Sequence, residues 1–347
     1  MARDRLLSGS PQTTDDVADV ALRPQTLSEM IGQQSLMEKL NIAMAAAKKR
    51  GEPIEHVLLE GPPGLGKTTL AYVIAKEMAS KPPRVASAPT LTKPADLMAL
   101  LTGLETGDIF FIDEIHRLPK VVEEFLYPAL EDFRVDFTID SGLGGRVVNF
   151  ALRRFTLIGA TTRAGMLSAA MRDRFGHRYH FDFYSTDDLT TLLHRSAKKL
   201  QLSAESGALE CIACKSRGTP RVANRLLKRA RDFAQVRADG VLTRKVVDQA
   251  LEIQQVDSLG LDELDRALLT TLIRVYEGGP AGIEAIAASM GQERDTLEDM
   301  VEPFLLQIGF LIRTRQGRQA TRAAYEHLGQ SYPEQRVDTP TEQSTLF

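Results

Sequence analysis

Eight residues constrain this chain more than any others. Gly61-Pro62-Pro63-Gly64-Leu65-Gly66-Lys67-Thr68 has the spacing GxxxxGK[ST]. An apolar strand-like run, His56 to Glu60, precedes it, and a helical pattern, Thr68 to Met78, follows. Glycines in such a turn let the backbone curl until its N–H groups face phosphate oxygens, and the helix N-terminus adds favourable partial charge. Lys67 can then reach the β- and γ-phosphates, and the Thr68 hydroxyl can ligate Mg²⁺. The expected cofactors are ATP and Mg²⁺.

A second signal fits the first. The apolar run Ile109 to Ile112 ends in Asp113-Glu114, and parallel sheets bind ligands at the C-terminal ends of their strands. Asp113 is expected to hold Mg²⁺, and Glu114 to polarise the attacking water. A third run, Phe155 to Gly159, leads into Ala160-Thr161-Thr162-Arg163. Thr161 at its tip can touch the γ-phosphate or the water, although a threonine at a strand end is commonly only a cap.

Two basic features leave alternatives open. In Met171-Arg172-Asp173-Arg174-Phe175, an arginine can stabilise a transition state from a neighbouring subunit, or simply pair with Asp173. From Lys215 to Arg231 there are seven basic residues and no acid. On the residues alone this is a solvated basic face; the sharper reading makes Arg221 a sensor of ATP.

The runs at Val57, Ile109 and Phe155 are short, apolar and bounded by turn residues, as buried parallel strands are. Helical text between them supplies the crossovers. After Tyr184 the strand signals stop, and Ser185-Thr186-Asp187-Asp188 opens helical text that runs to about Val256. From Leu261 come three helices and a short hairpin around Gln316-Gly317-Arg318, the plan of a winged helix. The expected class is α/β: a P-loop parallel-sheet domain over 1–184, a small helical lid over 185–256 and a winged-helix domain over 257–332. A disordered tail is expected over 333–347.

Net charge is only −3, so nucleic acid would have to be held by local patches. One such patch is the wing, where Arg313, Arg315, Arg318 and Arg322 fall between Phe310 and Tyr325 without an acid. No run approaches the ~18 apolar residues of a membrane helix, and a cytoplasmic protein without membrane contact is expected. The two cysteines, Cys211 and Cys214, sit in helical text without a second pair or a nearby His, and read as ordinary helix residues. Between the second and third runs, Arg134 to Phe150 interrupts the α/β pattern. Its alternating flank Val135 to Ile139 and the turn Ser141 to Gly145 suggest a protruding hairpin.

Together these motifs resemble the RuvB family of bacterial Holliday-junction branch-migration ATPases, within the AAA+ class. The resemblance rests on GPPGLGKTTLA, FIDEIHRL, VVEEFLYPALED, FTLIGATTRAG and RDRFG. It continues through RGTPRVANRLLKRARDFA, the long stretch Gly278 to Leu305, and GFLIRTRQGRQAT. A generic AAA+ match would not reach the last two domains. The resemblance implies a homo-hexameric ring that drives branch migration in recombination and repair with RuvA, with RuvC as a further partner. It makes Arg174 a trans-acting arginine finger and Arg221 a second sensor. Gly64, Gly66 and Thr69 join Lys67 and Thr68 around the phosphates. Leu22, Arg23 and Tyr184 surround the adenine, and Glu131, Asp132 and Phe133 form a further nucleotide contact. Arg313 and Arg318 contact DNA in preference to Arg315, and Val148 and Phe150 insert into RuvA. The match is weakest over Asp136 to Phe150 and the tail.

Two rivals share the ATP site. Asp113-Glu114-Ile115-His116 superficially fits a DExH helicase, but such helicases pair two α/β lobes, and this chain has text for one. An ATP-switched DNA-binding or clamp-loading protein would use hydrolysis only to release a partner.

Overall fold

The computed structural model describes residues 21–139 and 146–333. Its contacts divide into two compact units, 1–260 and 261–347.

In the first unit, helix α1 (Gln34–Arg50) leads to β1 (Val57–Glu60), and α2 (Lys67–Ala79) leaves the loop that follows. β2 (Arg84–Ser87), α3 (Pro94–Leu101), β3 (Ile109–Asp113) and α4 (Lys120–Glu131) come next. A hairpin of β4 (Arg134–Ile139) and β5 (Arg146–Ala151) is followed by β6 (Thr156–Thr161), the short α5 (Ala169–Arg172) and β7 (His177–His180). Five strands form one parallel sheet in the order β2-β3-β6-β1-β7. Alternate residues sort to its two faces. Val57, Leu59, Phe111 and Ile158 join one apolar cluster with α1 and α2, while Leu58, Phe110, Ile112 and Leu157 join a second with α3 and α4. A parallel sheet must be covered on both sides, because its crossover helices lie there.

The helical segment belongs to the same compact unit. α6 (Thr186–Lys199), α7 (Ser206–Cys214), α8 (Pro220–Arg237) and α9 (Arg244–Ile253) continue the first apolar cluster, through Leu189, Leu209, Leu227 and Leu251. Ser185 starts α6 as its sequence suggests, accepting the Asp188 N–H at 3.1 Å. Two-residue strands β8 (Ser203–Ala204) and β9 (Val241–Leu242) pair in parallel.

The second unit has its own core around Leu268, Leu272, Ile286 and Leu305. Helix α10 (Glu263–Val275) opens with a capping box in which Asp262 accepts from the Asp265 N–H and Asp265 from the Asp262 N–H. α11 (Ile283–Met290) follows. The third helix, α12, runs from Arg294–Thr296 through a π-helical turn, Leu297–Val301, to Glu302–Gln307. β10 (Leu311–Thr314) and β11 (Gly317–Ala320) form the wing, before α13 (Arg322–His327). Thr314 pairs with Gly317, so the wing turns at Arg315-Gln316, one residue earlier than the sequence suggests. Gly317 lies at φ +143°, and a Cβ there would meet the Ala281 carbonyl oxygen at 2.3 Å. Only glycine fits this close approach. Among the described residues, no helix is long and apolar enough to cross a membrane.

Candidate active site

The loop 61–66 leaves the C-terminal end of β1 and enters α2 with Gly66 at φ +105° as N-cap, and no side chain caps the helix. The first amides of α2 therefore present their N–H groups at the loop, the arrangement that attracts an anion. Lys67 donates to the carbonyls of Gly61, at 2.6 Å, and Pro62, at 2.8 Å. Burial lowers its pKa to about 8, against the opposing influence of Glu114 and Asp113. Thr68 and Thr69 are half-buried in the first turn. The glycine cradle and uncapped helix fit a phosphate chain. For Mg²⁺, a hydroxyl at Thr68 and a carboxylate at Asp113 are the sparse oxygen set the ion takes when phosphates complete its shell.

Asp113 and Glu114 end β3 on the same edge. Burial raises the Asp113 pKa, opposed by the Glu114 N–H, which donates to Asp113 Oδ1 at 3.0 Å, and by the charges of Lys67 and Arg221. Glu114 adopts φ +52°, a left-handed conformation uncommon outside glycine. Its carboxylate meets two residues to which the sequence assigned no role in the site. Thr162 donates to Glu114 Oε2 at 3.2 Å, and His116 Nδ1 lies 3.3 Å from the same oxygen. Thr161, the residue singled out from the sequence, is buried and lies 2.9 Å from His116 Nδ1. The signal for Thr162 was its place beside Thr161; strand alternation hid it, because the strand ends there.

The lid helices close on the loop. The Arg221 N–H donates to the Gly64 carbonyl at 3.3 Å, and a Cβ on Gly64 would meet the Arg221 Cβ at 3.0 Å. The Tyr184 hydroxyl donates to the Leu65 carbonyl at 3.2 Å, and burial pushes its pKa up to about 12. Leu22 is buried, and the Arg23 guanidinium lies 5.7 Å from the centre of the Tyr72 ring on α2.

Arg174, Glu131, Asp132 and Phe133 are not brought to this edge. Arg174 precedes β7, whose first residue pairs with the first residue of β1. Phe133 packs edge-on against Phe155, which precedes β6, with ring centres 5.9 Å apart. These residues lie where the strands begin, and β1 alone separates the two ends by roughly 13 Å, at about 3.3 Å per residue. Arg174 there pairs with Glu131 at 2.9 Å and lies 4.0 Å above the Tyr127 ring, with its Nε buried and unpartnered.

The other expected contacts are on projecting elements. β4 and β5 pair antiparallel from Arg134–Ala151 to Ile139–Arg146, with Phe137 opposite Val148 and Val135 opposite Phe150. Phe150 is exposed and Val148 half-buried; the turn expected at 141–145 lies outside the described residues, as does nearly all of the expected tail. On the wing, Arg313 and Arg318 face each other, and both grip the buried Glu302. Arg313 donates to its two oxygens at 2.7 and 2.8 Å, and Arg318 at 2.9 and 3.1 Å, with a further bond to Glu298. Burial alone would raise the Glu302 pKa, but the two arginines hold it below the ordinary carboxylate value. Arg315 is exposed at the turn.

The phosphate loop, the strand-end carboxylates and a helical lid that touches the loop make this an AAA+ P-loop ATPase. Family models match the chain in three consecutive parts. The Holliday junction DNA helicase RuvB P-loop domain covers 22–181, the RuvB AAA lid domain 184–257, and the RuvB C-terminal winged helix domain 258–329. The chain belongs to the RuvB family. It is 51% identical over 330 residues to the Holliday junction branch migration complex subunit RuvB of Dehalococcoides mccartyi, covering 95% of this chain and 94% of that protein. The protein of that name from Pediococcus pentosaceus is 53% identical over 330 residues, covering 95% and 98%. The solved Thermotoga maritima RuvB Holliday junction branch migration motor superposes with a TM-score of 0.83 at 49% identity, covering 90% of this chain and all of that one.

Proposed function

We propose that this protein is an ATP-driven DNA motor that promotes branch migration of Holliday junctions in recombination and repair, in the cytoplasm. It works as a homo-hexameric ring with RuvA, and RuvC can join the complex. The observation that carries this reading is the joint presence of a hydrolytic edge on the sheet and a family match that continues through the winged helix. An ATP-switched clamp loader would need the first without the second.

The geometry supports a division of labour. Gly64, Gly66, Lys67, Thr68 and Thr69 cradle the phosphates, Leu22, Arg23 and Tyr184 bound the base, and Arg221 reads the γ-phosphate from the lid. Thr68 and Asp113 would hold Mg²⁺, which neutralises phosphate charge when bound. Glu114 orients and polarises the water, with Thr161 and Thr162 beside it. Arg174 and the segment Glu131 to Phe133 serve the site of the next subunit, since they lie at the far end of their own sheet. Arg313 and Arg318 carry the wing to the DNA backbone, and Val148 and Phe150 dock RuvA.

Two variants test the site. Lys67→Ala should lose nucleotide affinity, because the phosphates lose a point charge. Glu114→Gln should bind ATP normally and turn over about 10²–10⁴ times more slowly. ATPase near the wild-type rate in Glu114→Gln would overturn the assignment.

A further inference from the structure

We propose that His116 is a positioning residue for hydrolysis, binding the Thr161 hydroxyl and the Glu114 carboxylate into one hydrogen-bonded unit. The proposal rests on the reading of Glu114 as the residue that activates water. His116 lies on neither apolar strand face and outside the phosphate loop; it comes from the 3₁₀ turn Ile115–Arg117 directly after the carboxylates. The left-handed Glu114 starts that turn, and the Arg117 N–H closes it on the Glu114 carbonyl at 2.8 Å. The turn brings the imidazole back beneath the carboxylate of its own segment. Nδ1 then stands 2.9 Å from Thr161 Oγ1 and 3.3 Å from Glu114 Oε2.

Burial makes this an anchor rather than a passing contact. The His116 side chain is 4% exposed, against 34% for Glu114. A fixed ring therefore stands behind a carboxylate that opens outward. Thr162 holds the same oxygen, Oε2, from the end of β6. Two contacts on one oxygen restrict rotation about the Glu114 side-chain bonds, and a general base must be held within hydrogen-bond reach of its water. Thr161 is itself fixed, for its Oγ1 accepts the Arg163 N–H at 3.0 Å and its backbone stands opposite Glu60 of β1. The tip of β6, paired with the strand that leads into the phosphate loop, and the Glu114 carboxylate thus meet through one ring nitrogen.

That nitrogen is also selective. Beyond the Arg163 N–H that it accepts, the Thr161 hydroxyl can donate its own proton or accept one more. A bare Nδ1 accepts that proton and offers Glu114 nothing. An Nδ1–H donates towards Glu114 or Thr161. The Nδ1–H tautomer, shared between the two oxygens, is therefore the form that links Glu114 to the tip of β6.

The test compares His116→Asn, His116→Gln and His116→Phe with Glu114→Gln. ATPase kcat and KM are measured for each, with binding of a fluorescent ADP analogue and thermal unfolding. Asn places a polar atom near the position of Nδ1, Gln places one near Nε2, and Phe keeps the ring without nitrogen. The expected result is a kcat lowered roughly 10- to 100-fold in the Phe and Gln variants, the usual effect of misplacing a catalytic group by about 1 Å. ADP affinity and KM should change less than about twofold, and Asn should recover most of the rate that Phe forfeits. Three results would each overturn the proposal: wild-type kcat in His116→Phe, equal losses in Asn and Phe, or a loss of nucleotide affinity parallel to the loss of rate. If Glu114→Gln keeps its ATPase, the underlying site assignment fails instead, and the two failures are separable.

Discussion

The Arg174 guanidinium stands 2.9 Å from the Glu131 carboxylate where the strands of the sheet begin, whereas Lys67 follows the end of β1. On the proposed reading, one subunit brings the phosphate loop to one site and Arg174 to the next, from opposite ends of the sheet. Arg174→Ala should be inactive alone, as should Lys67→Ala. Mixed with excess Lys67→Ala, the Arg174→Ala protein should regain ATPase in hybrid rings, where one subunit brings an intact loop and its neighbour an intact arginine. No recovery at any mixing ratio, with hybrid rings demonstrated, would count against a trans role.

The wing makes a second prediction. Arg318 is mostly buried and braces Glu302, Arg313 is half outside, and Arg315 stands at the turn. Removing one partner of a buried ion pair costs about 3–5 kcal/mol, and Arg313 remaining on Glu302 should keep the Arg318→Ala loss near or below the lower figure. Arg315→Ala should not change stability. Removing an arginine that pairs with a DNA phosphate should lower the salt slope of binding by about 1 per protomer and weaken all sequences alike. The discriminating measurement is a salt titration of DNA affinity on Arg313→Ala, Arg315→Ala and Arg318→Ala, singly and combined. Unchanged affinity in the combined variant would move the DNA contact to Lys215–Arg231.

The hairpin gives a third. Val148→Glu with Phe150→Glu should abolish RuvA capture in a pull-down and leave intrinsic ATPase unchanged, since among the described residues β4 and β5 form a two-stranded sheet apart from the strands that carry the site. Capture at the wild-type level would show that RuvA docks elsewhere.

Much of this was legible in the residues, for physical reasons that also mark where legibility stopped. β1, β3 and β6 are interior strands, buried on both faces, and their apolar runs stand out. β2 and β7 are edge strands, each with one buried residue, Ala86 and Tyr179, and neither breaks the surrounding text. The P-loop and Asp113-Glu114 are contiguous and need no fold to be seen. The Glu114–His116–Thr161 contact joins β3 to β6, residues far apart in sequence, and only the sheet order brings them together. The wing arginines were visible as charge, but Glu302, which both of them grip, sits in helical text that gives no hint of a partner.

A fourth prediction concerns pH. His56 is buried, its Nδ1 accepts the Leu157 N–H at 3.0 Å, and its Nε2 bonds the Leu130 carbonyl at 3.1 Å. Burial lowers its pKa below the ordinary 6.5, opposed by the Leu130 carbonyl and by Glu55. The unfolded chain takes up a proton near the ordinary value, while the folded chain resists it to lower pH. Stability should therefore fall as pH drops below about 6.5, until the folded value is reached. His56→Leu should be less stable at neutral pH, since two buried groups lose partners at about 1–3 kcal/mol each. It should also lose less Tm than wild type between about pH 7.5 and 5.5. Parallel Tm profiles would contradict this.

The central claim is that ATP hydrolysis at this sheet edge moves a junction rather than releases a partner. The most direct measurement is strand displacement on a synthetic four-way DNA junction with RuvA present, comparing wild type with Glu114→Gln. The account predicts ATP-dependent conversion of the junction to duplex products by wild type, and none by Glu114→Gln although it still binds ATP and the RuvA-bound junction. Equal conversion by both proteins, or wild-type ATPase without any movement of the junction, would contradict it.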